Sequence, residues 1–177
     1  TRDDVLAALA EFGAAATPLS PTGIRIPPPQ GKARAPHVEA ETAHGLGKFE
    51  VQDEGSQLAA LLAAARPGES VLDLCAGAGG KTLALAAVMQ NRGSITAYDA
   101  DKRQLRPIFE RLKRADVGIV DVLDAGRPEP LLARGPVFDL VLADAPCTGS
   151  GTWRRRPDTK WKLKPNQLAG RIADQRK

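Results

Sequence analysis

Two stretches of this sequence carry residue types at spacings that could do chemistry. The first is VLDLCAGAGGKT, Val71 to Thr82. An apolar run ends at Leu74, and Cys75, Ala76, Gly77, Ala78, Gly79 and Gly80 lead through Lys81 into a helical pattern. Glycines let the backbone turn tightly and let a ligand approach the main chain. A helix starting there offers unpaired N–H groups and the positive end of its dipole. That suits a phosphate, or equally the carboxylate of a methionine moiety. Asp99 ends the next apolar run, about 20 residues on, where an acidic side chain can hold ribose hydroxyls.

The second stretch is DAPCTGSGTWRRRPDTKW, Asp144 to Trp161. Cytosine C5 is a poor nucleophile. A thiolate adding to C6 of the ring turns C5 into an enamine-like carbon that can attack a methyl donor. A carboxylate beside the ring can hydrogen-bond its N3/N4 edge, and the base must be single-stranded or flipped out to be reached. Asp144 and Cys147, with Pro146 stiffening the turn between them, are the parts such chemistry needs. Trp153, Arg154, Arg155, Arg156, Lys160, Trp161, Lys162 and Lys164 form the densest basic segment, and aromatics among cations suit phosphates plus base stacking.

Each motif has competing readings. Gly80-Lys81-Thr82 fits the end of a P-loop, G-x-x-x-x-G-K-[ST], but the first glycine position is Cys75. The apolar run ending in Asp144 imitates the acidic residue that holds magnesium in such proteins. Against that, Asp73 at the strand end would repel phosphates and fits a nucleoside with a charged sulfonium better. The dinucleotide pattern G-x-G-x-x-G is not matched, since the glycines run G-x-G-G. The bland alternatives are a purely structural turn, a helix cap at Asp99, a small buried cysteine at Cys147 and a solvated basic loop. The Cys75 thiol is assigned no chemistry; its backbone shapes the loop.

The elements that must position these residues follow from periodicity. Asp3 to Phe12 reads as a short amphipathic helix with Val5, Leu6 and Leu9 on one face, ended by Gly13. Thr17 to Gly47 is proline-rich and loop-like, with a short edge strand at Gly23 to Ile26. Phe49 to Val51 reads as a strand, and Asp53 caps a helix reaching about Ala65 with Glu54 and Gln57 in its first turn. Strands then alternate with helices: strands at Ser70–Leu74, Ser94–Tyr98, Val117–Leu123 and Val137–Ala143, helices at Lys81–Gln90 and Asp101–Arg114. The last helix should bury Leu105, Ile108, Phe109 and Leu112 and kink at Pro107. The fourth strand is nearly all apolar, as expected of one covered on both faces. This alternation means a parallel α/β sheet, in which ligands sit outside the carboxyl ends of the strands.

Bulk composition excludes several classes. A hydrophobic content of 42% in 177 residues permits a core and argues against disorder. The balance of 25 Lys+Arg against 21 Asp+Glu is mildly basic and compatible with a nucleic-acid partner. The two cysteines are far apart, so neither a disulfide framework nor a zinc pair is expected. His37 and His44 have no partner ligands, and no metal is expected. No signal peptide or membrane span is read, which makes a cytoplasmic protein the default. The chain opens at Thr1 rather than a methionine, which suggests a piece of a longer protein.

VQDEGSQLAA, LDLCAGAGGKT and DAPCTGSGTWRRRPD, in this order and spacing, resemble the Nop/Sun family of RNA cytosine-C5 methyltransferases, above all its bacterial ribosomal-RNA branch. The resemblance runs from about Phe49 to the end. It implies a class I, Rossmann-like S-adenosylmethionine-dependent methyltransferase sheet over residues 48–177, truncated to about four of seven strands. Residues 1–47 would be the end of an N-terminal RNA-binding region. It implies that Cys75 to Lys81 wrap the methionine part of S-adenosyl-L-methionine and Asp99 binds the ribose. Asp124, rather than Asp121, lies near the adenine, and Asp144 contacts cofactor and target cytosine. Cys147 is similar to the family's second cysteine, which assists product release. The usual nucleophile lies in a Thr-Cys motif after the next strand and is expected beyond Lys177. The partner implied is RNA, ribosomal RNA in particular, bound by a monomeric full-length protein. The fourth strand, central in the family's strand order, would here become an exposed apolar edge.

Overall fold

The computed structural model describes residues 1–31 and 34–176. Lys177, where the expected domain ends, lies outside the described residues. The chain divides into two compact units, Thr1–Leu142 and Ala143–Lys177.

The first unit begins with helix α1 (Arg2–Ala8). Thr1 caps it, and Val5 and Leu9 are buried. Strands β1 (Ala15–Ala16) and β2 (Ile24–Arg25) pair antiparallel, the latter inside the expected edge strand. A short helix α2 (Thr42–Gly45) follows. Phe49 to Val51 is not a strand. It is an extended connection whose Glu50 is held by arginines from elsewhere. Helix α3 (Glu54–Leu62) starts after Asp53. Its first-turn side chains receive the loop after β1: Glu54 accepts the N–H groups of Leu19 and Ser20 at 3.0 Å each, and Gln57 Oε1 accepts the Ser20 hydroxyl at 2.7 Å.

The parallel sheet comprises β3 (Ser70–Asp73), β4 (Ser94–Ala97), β5 (Val120–Val122) and β6 (Leu140–Leu142), in the order β5-β4-β3-β6. Val71 pairs with Ile95 and Leu140, and Ile95 with Val120. Helix α4 (Gly80–Val88) follows β3 directly. Side chains alternate along a strand, so Val71 and Asp73 share a face of β3. Helix α4 covers that face: Leu85 and Met89 join Val71, Ile95 and Ala65 in one core cluster. Leu85 and Met89 are fully buried, each worth about 1.5–3 kcal/mol. Pro107 does more than kink the next helix. Lacking an N–H, it splits it into α5 (Lys102–Leu105) and α6 (Ile108–Arg114). Leu105, Ile108 and Leu112 are buried as the pattern required, but Phe109 is 58% exposed. Helix α7 (Glu129–Leu132) precedes β6.

β6 is shorter than the apolar run suggested and is not covered on both faces. It pairs only with β3 among the described residues, and Val141 is 53% exposed. Leu140 and Leu142 pack against the core. The second unit holds α8 (Pro157–Lys162) and α9 (Pro165–Gln175). No helix among the described residues is long and apolar enough to cross a membrane.

Candidate cofactor site at the carboxyl edge of the sheet

The sheet hydrogen bonding continues past the strand ends and knits three loops into one edge. The Leu74 N–H donates to Leu142 O at 2.9 Å, Ala76 N–H to Tyr98 O at 3.0 Å, and Leu123 N–H to Ala97 O at 3.0 Å. Cys75 therefore sits between two backbone anchors and is half-buried. The chain then turns: the Gly79 N–H donates to Ala76 O at 2.9 Å, and Leu83 N–H to Gly79 O at 2.9 Å opens helix α4. Gly79 has φ +82°, and a Cβ there would lie 2.5 Å from Ile108 Cγ1. Only glycine satisfies both the left-handed backbone and the contact with α6.

Three consecutive loop residues are held by other elements. Asp99, one residue beyond Tyr98 at the end of β4, accepts the Gly77 N–H on Oδ2 at 2.9 Å. Arg111 of α6 donates through Nη1 to Ala78 O at 2.9 Å. Ile108 closes on Gly79. Asp99 also accepts the Asp101 N–H on Oδ1 at 2.8 Å, and its carbonyl accepts the Gly126 N–H at 3.3 Å. The helix cap is thus Asp101, which accepts the Arg103 N–H at 2.8 Å. That bond, above all, holds its carboxyl below the usual aspartate range. Each carboxylate oxygen carries two lone pairs, so Asp99, half-buried, keeps acceptor capacity for a diol. Burial pushes the Tyr98 phenol above its usual range, with Glu129, Asp99 and Cys75 adding to it.

Asp73 is fully buried, and Oδ2 accepts the Thr82 hydroxyl at 2.7 Å. It ties β3 to the first turn of α4. Thr82 is equally buried, so the hydroxyl that a P-loop would offer to magnesium is turned into the core. Asp124 is exposed, in the turn after β5, its carbonyl accepting the Arg127 N–H at 3.3 Å. Asp121 lies within β5 and is paired with Arg134, which also donates to Thr96 Oγ1 at 3.1 Å. Cys75 to Lys81, Asp99 and Asp124 thus come together on one edge, while Asp121 stands away from it. Sequence reading missed Glu50 and Arg111. Arg111 accompanies Ile108 at i+3 on α6, a spacing that puts both on the face meeting the loop.

Residues 59–177 match the family described as 16S rRNA methyltransferase RsmB/F. The chain belongs to this family. A probable ribosomal RNA small subunit methyltransferase B of Bacillus subtilis (strain 168) is 38% identical over 130 residues, covering 72% of this chain and 29% of its own length. The crystal structure of PH0851 superposes with a TM-score of 0.83 at 34% identity, over 96% of this chain and 38% of that one. That of NSun6 from Pyrococcus horikoshii with SFG gives a TM-score of 0.58 at 32% identity, over 64% and 29%. The chain spans about a third of the length of the curated relatives it matches, 29% and 38% for the first two. Family membership fixes the Nop/Sun bacterial branch, and the four parallel strands are part of its Rossmann-like methyltransferase sheet.

The second unit carries the remaining expected residues. Cys147 is exposed, and its Sγ accepts the Gly149 N–H at 3.3 Å. It lines a cleft of about 440 Å³ with Thr148, Thr159, Lys162, Arg171 and Asp174. Gln175 of α9 donates to the Pro146 carbonyl at 2.8 Å, fixing the turn that holds the cysteine. Asp144 is exposed. Arg154, Arg155 and Arg156 are exposed, and Lys160 Nζ lies 5.7 Å from the Trp153 ring and 5.3 Å from the Trp161 ring. Among the described residues no group of three or more His, Cys, Asp or Glu side chains could hold a metal ion.

Proposed function

We propose that this chain is the cofactor-binding part of an S-adenosylmethionine-dependent enzyme that methylates C5 of a cytosine in ribosomal RNA. The observation that carries the reading is the half-buried Asp99 carboxylate at the sheet's carboxyl edge, bound to Gly77 N–H of a glycine loop that opens a helix. Family membership and the NSun6 structure with SFG support it. The cofactor supplies an electrophilic methyl on a sulfonium. Residues Cys75 to Lys81 wrap its methionine part. Asp99 accepts the ribose hydroxyls, and Asp124 lies at the adenine.

Asp144 serves the cofactor and the N3/N4 edge of the target base. A thiolate adding to C6 would make C5 nucleophilic toward the methyl that the cofactor would supply, and loss of the C5 proton would then expel the thiolate. We assign Cys147 to that release step, with the attacking thiolate supplied from a Thr-Cys motif outside these residues. Trp153, Arg154, Arg155, Arg156 and Lys160 meet RNA phosphates and bases. Residues 1–47 form the end of an RNA-binding region that precedes a methyltransferase domain from Lys48 on. A monomer in the cytoplasm, with no metal, completes the reading.

The test is calorimetric titration of the chain with S-adenosylmethionine, with Asp99→Ala alongside. Binding that weakens in the variant supports the reading. No binding by a chain that melts cooperatively would sink it.

A further inference from the structure

The glycine loop is gripped from the α6 side by a charged group that belongs to neither the loop nor the sheet. Arg111 presents its guanidinium as a fork. Nε and Nη2 both meet Glu50 Oε2, at 3.1 and 3.0 Å, and Nη1 reaches Ala78 O at 2.9 Å. Arg114, one turn on, donates to the other oxygen of Glu50. The three side chains are only 18%, 21% and 20% exposed for Arg111, Arg114 and Glu50. Screening is weaker there than at an open surface, and a planar guanidinium held by a carboxylate oxygen and a main-chain carbonyl at once is fixed in direction as well as charge. Glu50 is itself placed by its backbone. At Gly47 a Cβ would collide with the Arg114 carbonyl, so the segment 47–50 lies directly on the end of α6.

The consequence falls on the loop. A main-chain carbonyl at a tight turn can face either inward or outward, and the Ala78 carbonyl points at Arg111. With that carbonyl fixed, the peptide's N–H, on Gly79, is committed to Ala76 O. Gly77 N–H is committed to Asp99 by the opposite grip. The loop is thus set by two charged groups of opposite sign acting on neighbouring residues, an anion on an N–H and a cation on a C=O.

We propose that Arg111, backed by Glu50, is a positioning residue that presets the cofactor loop, so that docking of the segment 47–50 governs cofactor affinity. This rests on the cofactor reading above. Neither residue touches the ligand. Both act through the Ala78 carbonyl.

The experiment pairs amide hydrogen exchange with calorimetry on the whole chain. It compares Arg111→Gln, Arg111→Lys, Glu50→Gln and, as a control on the same helix, Arg114→Gln. Arg111→Gln is expected to speed exchange across residues 76–81 while leaving that of β4 unchanged. It is also expected to weaken S-adenosylmethionine binding roughly tenfold, the scale of one lost charge-assisted bond. Arg111→Lys should restore little, because one ammonium cannot span Ala78 O and Glu50 together. Glu50→Gln should show the same loop signature more weakly and serves if Arg111→Gln fails to fold. Arg114→Gln should lower the melting temperature without the loop signature. Unchanged loop exchange in Arg111→Gln, or faster exchange with unchanged affinity, overturns the proposal while the unsubstituted chain still binds. Failure of the unsubstituted chain to bind overturns the cofactor reading, and the proposal with it.

Discussion

Asp99 and Gly77 are joined across two strand ends, the carboxylate Oδ2 accepting the glycine N–H at 2.9 Å. The other oxygen accepts Asp101 N–H at 2.8 Å, so one side chain fixes the loop after β3 and the entry to α5. Asp99→Ala removes both acceptors. It is expected to weaken S-adenosylmethionine binding at least tenfold and to cost about 1–3 kcal/mol in urea unfolding. Asp99→Asn retains one oxygen and should fall between. An alanine variant with unaltered affinity would remove Asp99 from the cofactor site.

The buried pair of Asp73 and Thr82 calls for a different measurement, since it ties β3 to α4. Thr82→Val keeps the shape and deletes the hydroxyl that a fully buried carboxylate accepts at 2.7 Å. Losing the partner of a buried polar group costs about 1–3 kcal/mol, which equilibrium unfolding in urea resolves. Cofactor affinity, referred to the folded fraction, should change less than in Asp99→Ala. A P-loop reading demands the reverse, a small stability change and loss of magnesium-dependent nucleotide binding.

How far the sequence could be read follows from the range of each interaction. The alternation of apolar runs and helical patterns places all four strands of the sheet. The glycine loop is legible because its turn chemistry is local, and Asp99 because it ends the next apolar run, although the bond joining the two spans 22 residues. The tie between Asp73 and Thr82 is not: it needs the first turn of α4, nine residues on, to lie against the same strand face. Phe49 to Val51 looks like a strand by composition, yet Glu50 is claimed by Arg111 and Arg114, more than sixty residues away. Phe109 fits the helical stripe by spacing, yet it is 58% exposed. Long-range charge pairs leave no periodic trace.

Glu54 makes the docking of the loop after β1 sensitive to acid. Chiefly the Ser20 N–H, then Thr17 and Leu19, hold its carboxyl below its ordinary value of 4.5. A folded-state value below the unfolded one means the contribution is complete above about pH 4.5 and is lost as pH falls through the lower folded value. The Leu19 and Ser20 amides should therefore lose exchange protection in acid below that point, before the sheet amides do. Glu54→Gln should show weaker protection at neutral pH and no such step. Identical acid profiles for the two chains would contradict this assignment.

Val141 sits on β6, which pairs only with β3 among the described residues, and is 53% exposed while Leu140 and Leu142 reach the core. An apolar edge strand is a template for pairing with another chain, and a lysine on an edge blocks that pairing. Val141→Lys places its charge on the solvent face, opposite the core side of the strand. Substitution at such a site normally shifts stability by no more than about 0.5 kcal/mol. The variant should therefore melt close to the unsubstituted chain while remaining monomeric at concentrations where that chain self-associates in sedimentation velocity. If both chains sediment as monomers across the same range, the edge is not the route to association. If the variant unfolds, Val141 contributes to packing in solution more than its exposure indicates.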